Sequence, residues 1–164
     1  MSNIYQIVRT DDIDKVRDYI KNNPNTVDYI NKPEYLSGKT PLHIAIIRKN
    51  HLIVNYLLNH GANPNIKTKD QIPPLILTIL VLEEDLDYKQ RKPQEEAEII
   101  EIGAVITNNE KIILKNLLSF GADPNMPDGL QTILLHKLPY YPGTTYENMK
   151  EIVELLITYH ININ

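Results

Sequence analysis

At 164 residues, 42% of them hydrophobic, the chain is long enough for one domain with a real core. It has no cysteine, which excludes disulfides, thiolate metal sites and cysteine nucleophiles. A net charge of −4 and a pI of about 5.7 argue against nucleic-acid binding, which normally runs on a basic excess.

In chain order, MSNIYQIVRTDDIDKV is interrupted by charges throughout and does not read as a signal peptide. DDIDKVRDYIKNN then predicts a helix that sets Asp12, Asp14, Lys15, Arg17, Asp18 and Lys21 among its core residues. TPLHIAI (residues 40–46) opens another. Thr40 is a good N-cap, and Pro41 takes the first helical position, where its fixed φ helps and its missing N–H costs nothing. Leu42, Ile44, Ala45 and Ile46 supply apolar contact. Lys49-Asn50 breaks the helix, with Asn50 expected in the left-handed conformation. The next helix is expected over about 52–59, closed by Gly61 in a left-handed cap, after which Asn-Pro-Asn turns the chain outward. The longest apolar run, IPPLILTILVL, is too short for a membrane span and holds two prolines. EEDLD and EEAEIIE read as solvated faces, DYKQRKPQ as a loop, and residues 94–107 as a helix started by Pro93. MKEIVELLITYHININ supplies a last helix with Ile152, Val153, Leu155, Leu156 and Ile157.

Two stretches recur. LLNHGANPN and LLSFGADPN place Gly61 and Gly121 60 residues apart, and the Leu-His pairs at His43 and His136 are 93 apart. Both offsets follow from one 33-residue unit with a single 27-residue insertion between residues 73 and 121. The unit then sets Pro74, Leu75 and Ile79 on Pro41, Leu42 and Ile46, a match the offsets did not use.

GKTPLHIAI…IVNYLLNHGANPN resembles a full ankyrin repeat: T-P-L-H-x-A, a V-x-x-L-L helix, then G-A-D/N-x-N. The resemblance covers nearly the whole chain in four units, about 2–27, 40–65, 73–125 with an insertion at about 83–109, and 132–164. It implies an all-α repeat solenoid of stacked helix-turn-helix units with projecting loops or hairpins. It also implies structural roles for Thr40, Pro41, Leu42, His43, Gly61, Gly121 and His136, with the His43 ring bonded to the Thr40 hydroxyl and His136 inheriting that role. Such units are stable only when stacked, so the ends need cover. The charged helix of unit one reads as a cap. Unit four keeps an apolar helix, and three readings stay open there: more chain follows, a partner covers it, or it tolerates exposure, the last two being favoured.

The rival reading makes His43 a general base, but no nucleophile or orienting group accompanies it, and Tyr5 and Ile76 stand at its place in units one and three. His51, His60 and His160 read as surface residues at loop and helix-end positions, and the three histidines of unit two, 8 and 9 residues apart, do not share a helical face and complete no metal site. The six glycines form no phosphate-binding pattern. No enzyme, cofactor or metal is expected.

The resemblance implies binding of another protein on the concave side, by loop tips and the open face of each first helix. By register the tips are Glu34, Leu36 and Lys39, then Lys67, Lys69, Asp70 and Ile72, then Met126, Asp128 and Leu130. The helix positions are Arg9, Ile47, Arg48, Leu80 and Val81, with Tyr140 and Tyr141 in unit four. Aromatic and arginine residues dominate binding hot spots, which puts Arg48, Tyr140 and Tyr141 first. The expected function is thus a non-enzymatic interaction module, an inhibitor or adaptor, that holds a partner protein. No nucleic acid or membrane is involved, and a monomer is expected over a homo-oligomer. The location is intracellular and cytoplasmic, in a host cell if the source is a virus or intracellular bacterium. The alternative is a structural repeat protein that assembles with itself through its apolar last unit.

Overall fold

A computed structural model describes residues 3–23, 25–80, 108–140 and 145–161, apart from the side chains of residues 26, 27 and 140. The helix predicted over 94–107, the charge runs before it, Val81 and Tyr141 lie outside the described residues.

Four helix pairs follow one another. The first is α1 (Ile4–Arg9) with α2 (Ile13–Lys21). After α3 (Thr26–Asn31) comes the second pair, α4 (Pro41–Ile47) with α5 (His51–Asn59). The third is α6 (Pro74–Leu77) with α7 (Asn108–Ser119). The fourth is α8 (Leu134–Lys137), running into a 3-10 turn at Leu138–Tyr140, with α9 (Tyr146–Thr158). Polar residues start several of these helices by satisfying orphan N–H groups. Asp12 Oδ1 accepts from the N–H of Asp14 (3.0 Å) and Lys15 (3.2 Å), and Asn50 Oδ1 accepts from Ile53 N–H at 3.0 Å. Asn3 and Gln6 cap each other reciprocally at the start of α1.

Two local expectations are corrected. It is Lys49, at φ 55°, that takes the left-handed conformation, while Asn50 stays extended because it is needed as the N-cap of α5. The helix α3 has no counterpart in the sequence reading; its Ile30 is fully buried and ties it to the core. No strand occurs among the described residues. The loops instead close on pairs of backbone bonds: Glu34 N–H to Lys39 C=O (2.9 Å) with Gly38 N–H to Glu34 C=O (2.8 Å), Thr68 N–H to Ile72 C=O (3.0 Å) with Gln71 N–H to Thr68 C=O (3.0 Å), and Asp128 N–H to Thr132 C=O (2.9 Å) with Gln131 N–H to Asp128 C=O (3.1 Å).

The first helices form one layer, α1 on α4 and α4 on α6; the second helices form the other, α2 on α5 and α5 on α7. The architecture is an all-α repeat solenoid. Left-handed residues mark equivalent points along it: Asp11 and Lys49 inside pairs one and two, Gly61, Gly121 and His160 after the second helices, and Gly38, Gln71 and Gln131 in the loops.

Burial then separates two faces of each pair. Leu42, Ile46, Val54 and Leu58 in pair two, and Leu75, Ile79, Leu114 and Leu118 in pair three, are at most 3% exposed. Their counterparts in pair one, Ile4, Val8, Val16 and Ile20, are buried too, but in pair four Ile157 is 54% exposed at the position of Leu58 and Leu118. This set therefore faces the following pair. The set at Ile53 and Leu57 behaves oppositely: Ile152 and Leu156 of pair four are buried there, whereas pair one carries exposed Lys15 and half-buried Tyr19. That set faces the preceding pair. Because each fully buried aliphatic side chain is worth roughly 1.5–3 kcal/mol, a pair stripped of its neighbours loses most of its support.

Candidate functional site

His43 is fully buried, and its environment decides against chemistry. The backbone N–H of Thr40 donates to His43 Nδ1 at 2.9 Å, and the Thr40 hydroxyl meets the same nitrogen at 2.8 Å. A ring nitrogen that accepts from a backbone N–H carries the lone pair, so the neutral ring bears its proton on Nε2. Burial lowers the His43 pKa from 6.5 to about 4, with help from the Lys39 charge and against the Ile66 carbonyl, which favours the protonated ring. Nε2, buried on the other side of the ring, makes no hydrogen bond of good geometry. A ring held neutral, with one nitrogen occupied and the other sealed from solvent, has no route to a substrate proton.

His136 does not repeat this arrangement. It is exposed, and the residue that caps its helix is Ile133, which has no hydroxyl to offer. Nothing stacks beyond pair four among the described residues, so the position that buries His43 leaves His136 open.

The loop tips lie side by side. Lys69 N–H donates to the Ser37 carbonyl at 3.1 Å, joining the first loop to the second. Gly38, at φ 67°, sits so close that a Cβ there would strike the Lys69 backbone. The third loop also lies close to the second, though less tightly, a Cβ on Gly129 falling 3.0 Å from the Asp70 carbonyl. The result is one continuous edge: Tyr35 (94% exposed) and Leu36 (77%), then exposed Lys69 and Asp70, then Leu130 (79%).

The other candidates divide by what already holds them. Arg48 is exposed at the end of α4, and Lys67 and Met126 are half-buried on the loops. Ile47, Ile72 and Leu80 pack against the core, so the expected apolar row along the first helices is largely spent on the interior. Arg9 is exposed, yet its Nη2 donates to both carboxylate oxygens of Glu34 at 3.0 Å. Lys39 is half-buried beside the first loop, its carbonyl accepting from Glu34 N–H. Burial raises the Glu34 pKa, but Ser37 and Arg9 outweigh it and hold the carboxyl below its ordinary range. Glu34 is thus a brace rather than a free tip.

Asp128 is not a tip at all. It is 5% exposed and accepts from Leu130 N–H (2.9 Å), Thr132 N–H (3.0 Å) and the Thr132 hydroxyl (3.0 Å), with Lys137 Nζ at 2.8 Å. Burial would raise its pKa, yet these bonds together bring it down to about 2. Tyr140's side chain and Tyr141 fall outside the described residues.

Sequence reasoning missed Tyr35 and the asparagines that hold neighbouring loops. Asn31 donates to the Gly61 carbonyl (2.8 Å) and accepts from Asn63 N–H (2.7 Å); Asn125 donates to the His160 carbonyl (3.3 Å). For Asn65 and Asn125 the signal was present as the final Asn of the two G-A-x-P-N stretches, whereas Asn31 ends no such stretch. It was read there only as a turn. Among the described residues no group of three metal-ligating side chains exists, and no helix is long and apolar enough to cross a membrane.

A stack of paired helices with a loop edge and no reactive cluster among its described residues defines a repeat scaffold. Residues 37–69 match the ankyrin repeat family, so the chain carries an ankyrin repeat. It is 28% identical over 135 residues to the ankyrin repeat and MYND domain-containing protein 1 of Mus musculus, covering 77% of this chain and 12% of that protein. It is 33% identical over 99 residues to an ankyrin repeat protein of fowlpox virus (60% and 21%). It is 32% identical over 77 residues to the human 2-5A-dependent ribonuclease (47% and 10%). The chain thus spans at most 21% of any of these three relatives. Ankyrin repeats in general mediate protein–protein interaction and are not enzymes, although the human relative is an enzyme by its name.

Proposed function

We propose that this protein binds a partner protein, without catalysis or cofactor, along its loop edge and the exposed ends of its first helices. The observation that carries this reading is the edge itself. The reading is supported by a backbone bond from Lys69 to Ser37 that ties the first loop to the second, by the closeness of Gly129 to Asp70, and by the exposure of Leu36, Lys69, Asp70 and Leu130 on these loops. An aromatic and aliphatic pair at one end, two charges in the middle and a leucine at the other suit a protein surface with apolar pockets and a polar centre. Arg48 flanks this edge, and sequence register adds Tyr140 and Tyr141. Fixing the loops in advance lowers the ordering cost of binding.

The partner is a protein rather than nucleic acid, and holding it serves to recruit it or to block it. The protein works as a monomeric stack in the cytoplasm; the fowlpox virus relative motivates a host-cell setting. The test is affinity capture from lysate with the unaltered chain and with a Leu36→Ala/Lys69→Ala/Leu130→Ala variant. The variant is expected to fold normally and to lose the captured protein. Equal capture by both would remove the loop edge from the function.

A further inference from the structure

We infer that the partner meets the loop edge with an acidic segment: extended chain with Asp or Glu opposite Lys67, Lys69 and Arg48, between apolar side chains that sit against Leu36 and Leu130. The inference rests on the loop edge being the binding face and adds the chemistry of what that face takes.

Charge is divided unevenly over the stack. The loops (33–40, 66–73 and 126–133) and the first helices with Arg48 carry six basic residues and three acidic ones, whereas the other described residues carry eight basic and ten acidic. A cationic face thus stands on a chain of net charge −4. Two of its three carboxylates are already engaged. Glu34 accepts from the Ser37 hydroxyl at 2.8 Å and from Arg9 at 3.0 Å. Asp128 is 5% exposed, with Lys137 Nζ at 2.8 Å. Each carboxylate occupies one base. What the face then presents is Arg48, Lys67 and Lys69, with half-buried Lys39, against Asp70. Arg48 follows the seven residues of α4, about 10 Å of helix, so about three residues of extended chain reach from the loops to it.

Nucleic acid is the other polyanion such a face attracts, and it fits less well. Leu36 and Leu130, 77% and 79% exposed, mark the ends of the edge, and Asp70 sits beside Lys69. The acidic remainder of the chain also repels a long polyphosphate.

The test selects a phage-displayed library of random peptides of about 12 residues, about 40 Å when extended, on the unaltered chain at physiological salt. The selected peptides are expected to carry Asp and Glu at least about threefold above the library frequency. Lys67→Glu/Lys69→Glu is expected to weaken their binding by about tenfold or more, and Lys67→Gln/Lys69→Gln by about threefold, with urea midpoints unchanged. Leu36→Ala/Leu130→Ala is expected to weaken it as well. Peptides that need Leu36 and Leu130 but show no acidic excess, or that bind the charge-reversed variant equally, overturn the inference and leave the loop edge standing. Acid-rich peptides indifferent to every one of these substitutions place the failure in the loop edge itself. A selection that enriches nothing overturns the inference. So does polyuridine RNA that binds more tightly than the peptides and is released by Lys67→Glu/Lys69→Glu, because the face then belongs to nucleic acid.

Discussion

Asn65 and Asp123, 58 residues apart in sequence, are joined by a 2.8 Å hydrogen bond from the Asp123 N–H to the Asn65 side-chain carbonyl. The Asn65 amide closes the grip by donating to the Gly121 carbonyl at 2.8 Å. One side chain thus satisfies a donor and an acceptor of the next pair's turn, which its own Asp123 side chain shapes by accepting from Asn125 N–H at 2.8 Å. Asn65→Ala is expected to cost about 1–2 kcal/mol in urea unfolding, the worth of two partly solvated bonds. Asn65→Asp keeps the acceptor and loses the donor, so it is expected to fall between. A loss below about 0.3 kcal/mol for Asn65→Ala would mean that the loops are not coupled through this residue.

The depressed His43 pKa makes stability depend on pH. The folded ring stays neutral down to about 4, whereas the unfolded ring takes a proton near 6.5. The unfolded state therefore binds more protons across that interval. Stability is full above pH 6.5 and is lost as pH falls toward 4, by up to about 3 kcal/mol. His43→Gln retains an acceptor for the Thr40 N–H and is expected to flatten the slope between pH 6.5 and 5, as read by urea midpoints along a pH series. An unchanged slope in the variant would show that another group titrates there.

Asp128 works lower on the scale. Its folded pKa of about 2 lies under its ordinary 3.8, so its contribution is present above pH 4 and disappears as pH falls to 2. Asp128→Asn keeps an oxygen for the Thr132 and Leu130 donors but loses the Lys137 pairing. The variant is expected to be about 1–3 kcal/mol less stable at pH 7 and equal to the unaltered chain at pH 2. A deficit that persists at pH 2 would assign the loss to packing rather than charge.

Three equivalent loop positions carry left-handed backbone, and glycine fills only one of them. Gly38 has φ 67°, Gln71 62° and Gln131 60°. Gly38→Ala combines an unfavourable φ with a collision against Lys69 and is expected to cost at least about 2 kcal/mol. Gln71→Gly relieves the same backbone at no steric expense and is expected to be neutral or stabilising by up to about 1 kcal/mol. Thermal midpoints of the two variants check the contrast, and destabilisation by both to the same extent would contradict it.

The sequence carried the repeat because periodic apolar positions and the Gly-Ala loops recur at a fixed interval, and these are the residues that stacking buries. Pair two was legible nearly residue by residue from Thr40 to Asn65 for that reason. What it could not carry was which equivalent position receives a neighbour. His136 matches His43 in sequence and differs from it wholly in burial, since no fifth pair covers it among the described residues. Asp128 looked like a loop tip and is a buried hub, because a short polar side chain at a turn can bond the backbone around it. Of the candidate edge, Leu36, Lys69, Asp70 and Leu130 followed from register alone. Ile47, Ile72 and Leu80 did not separate from them, since an aliphatic residue at a loop or helix end reads alike whether it faces the core or the solvent.

The central claim, that a partner is held along the loop edge, is tested most directly by site-specific photocrosslinking. A photoreactive residue is placed singly at position 36 or 130 on the edge, or at 52 or 112, where Leu52 and Ile112 are exposed on the second helices. The account expects one protein from cell lysate to crosslink at 36 and 130 and not at 52 or 112. Crosslinking to that protein at 52 and 112, with none at 36 or 130, would contradict it.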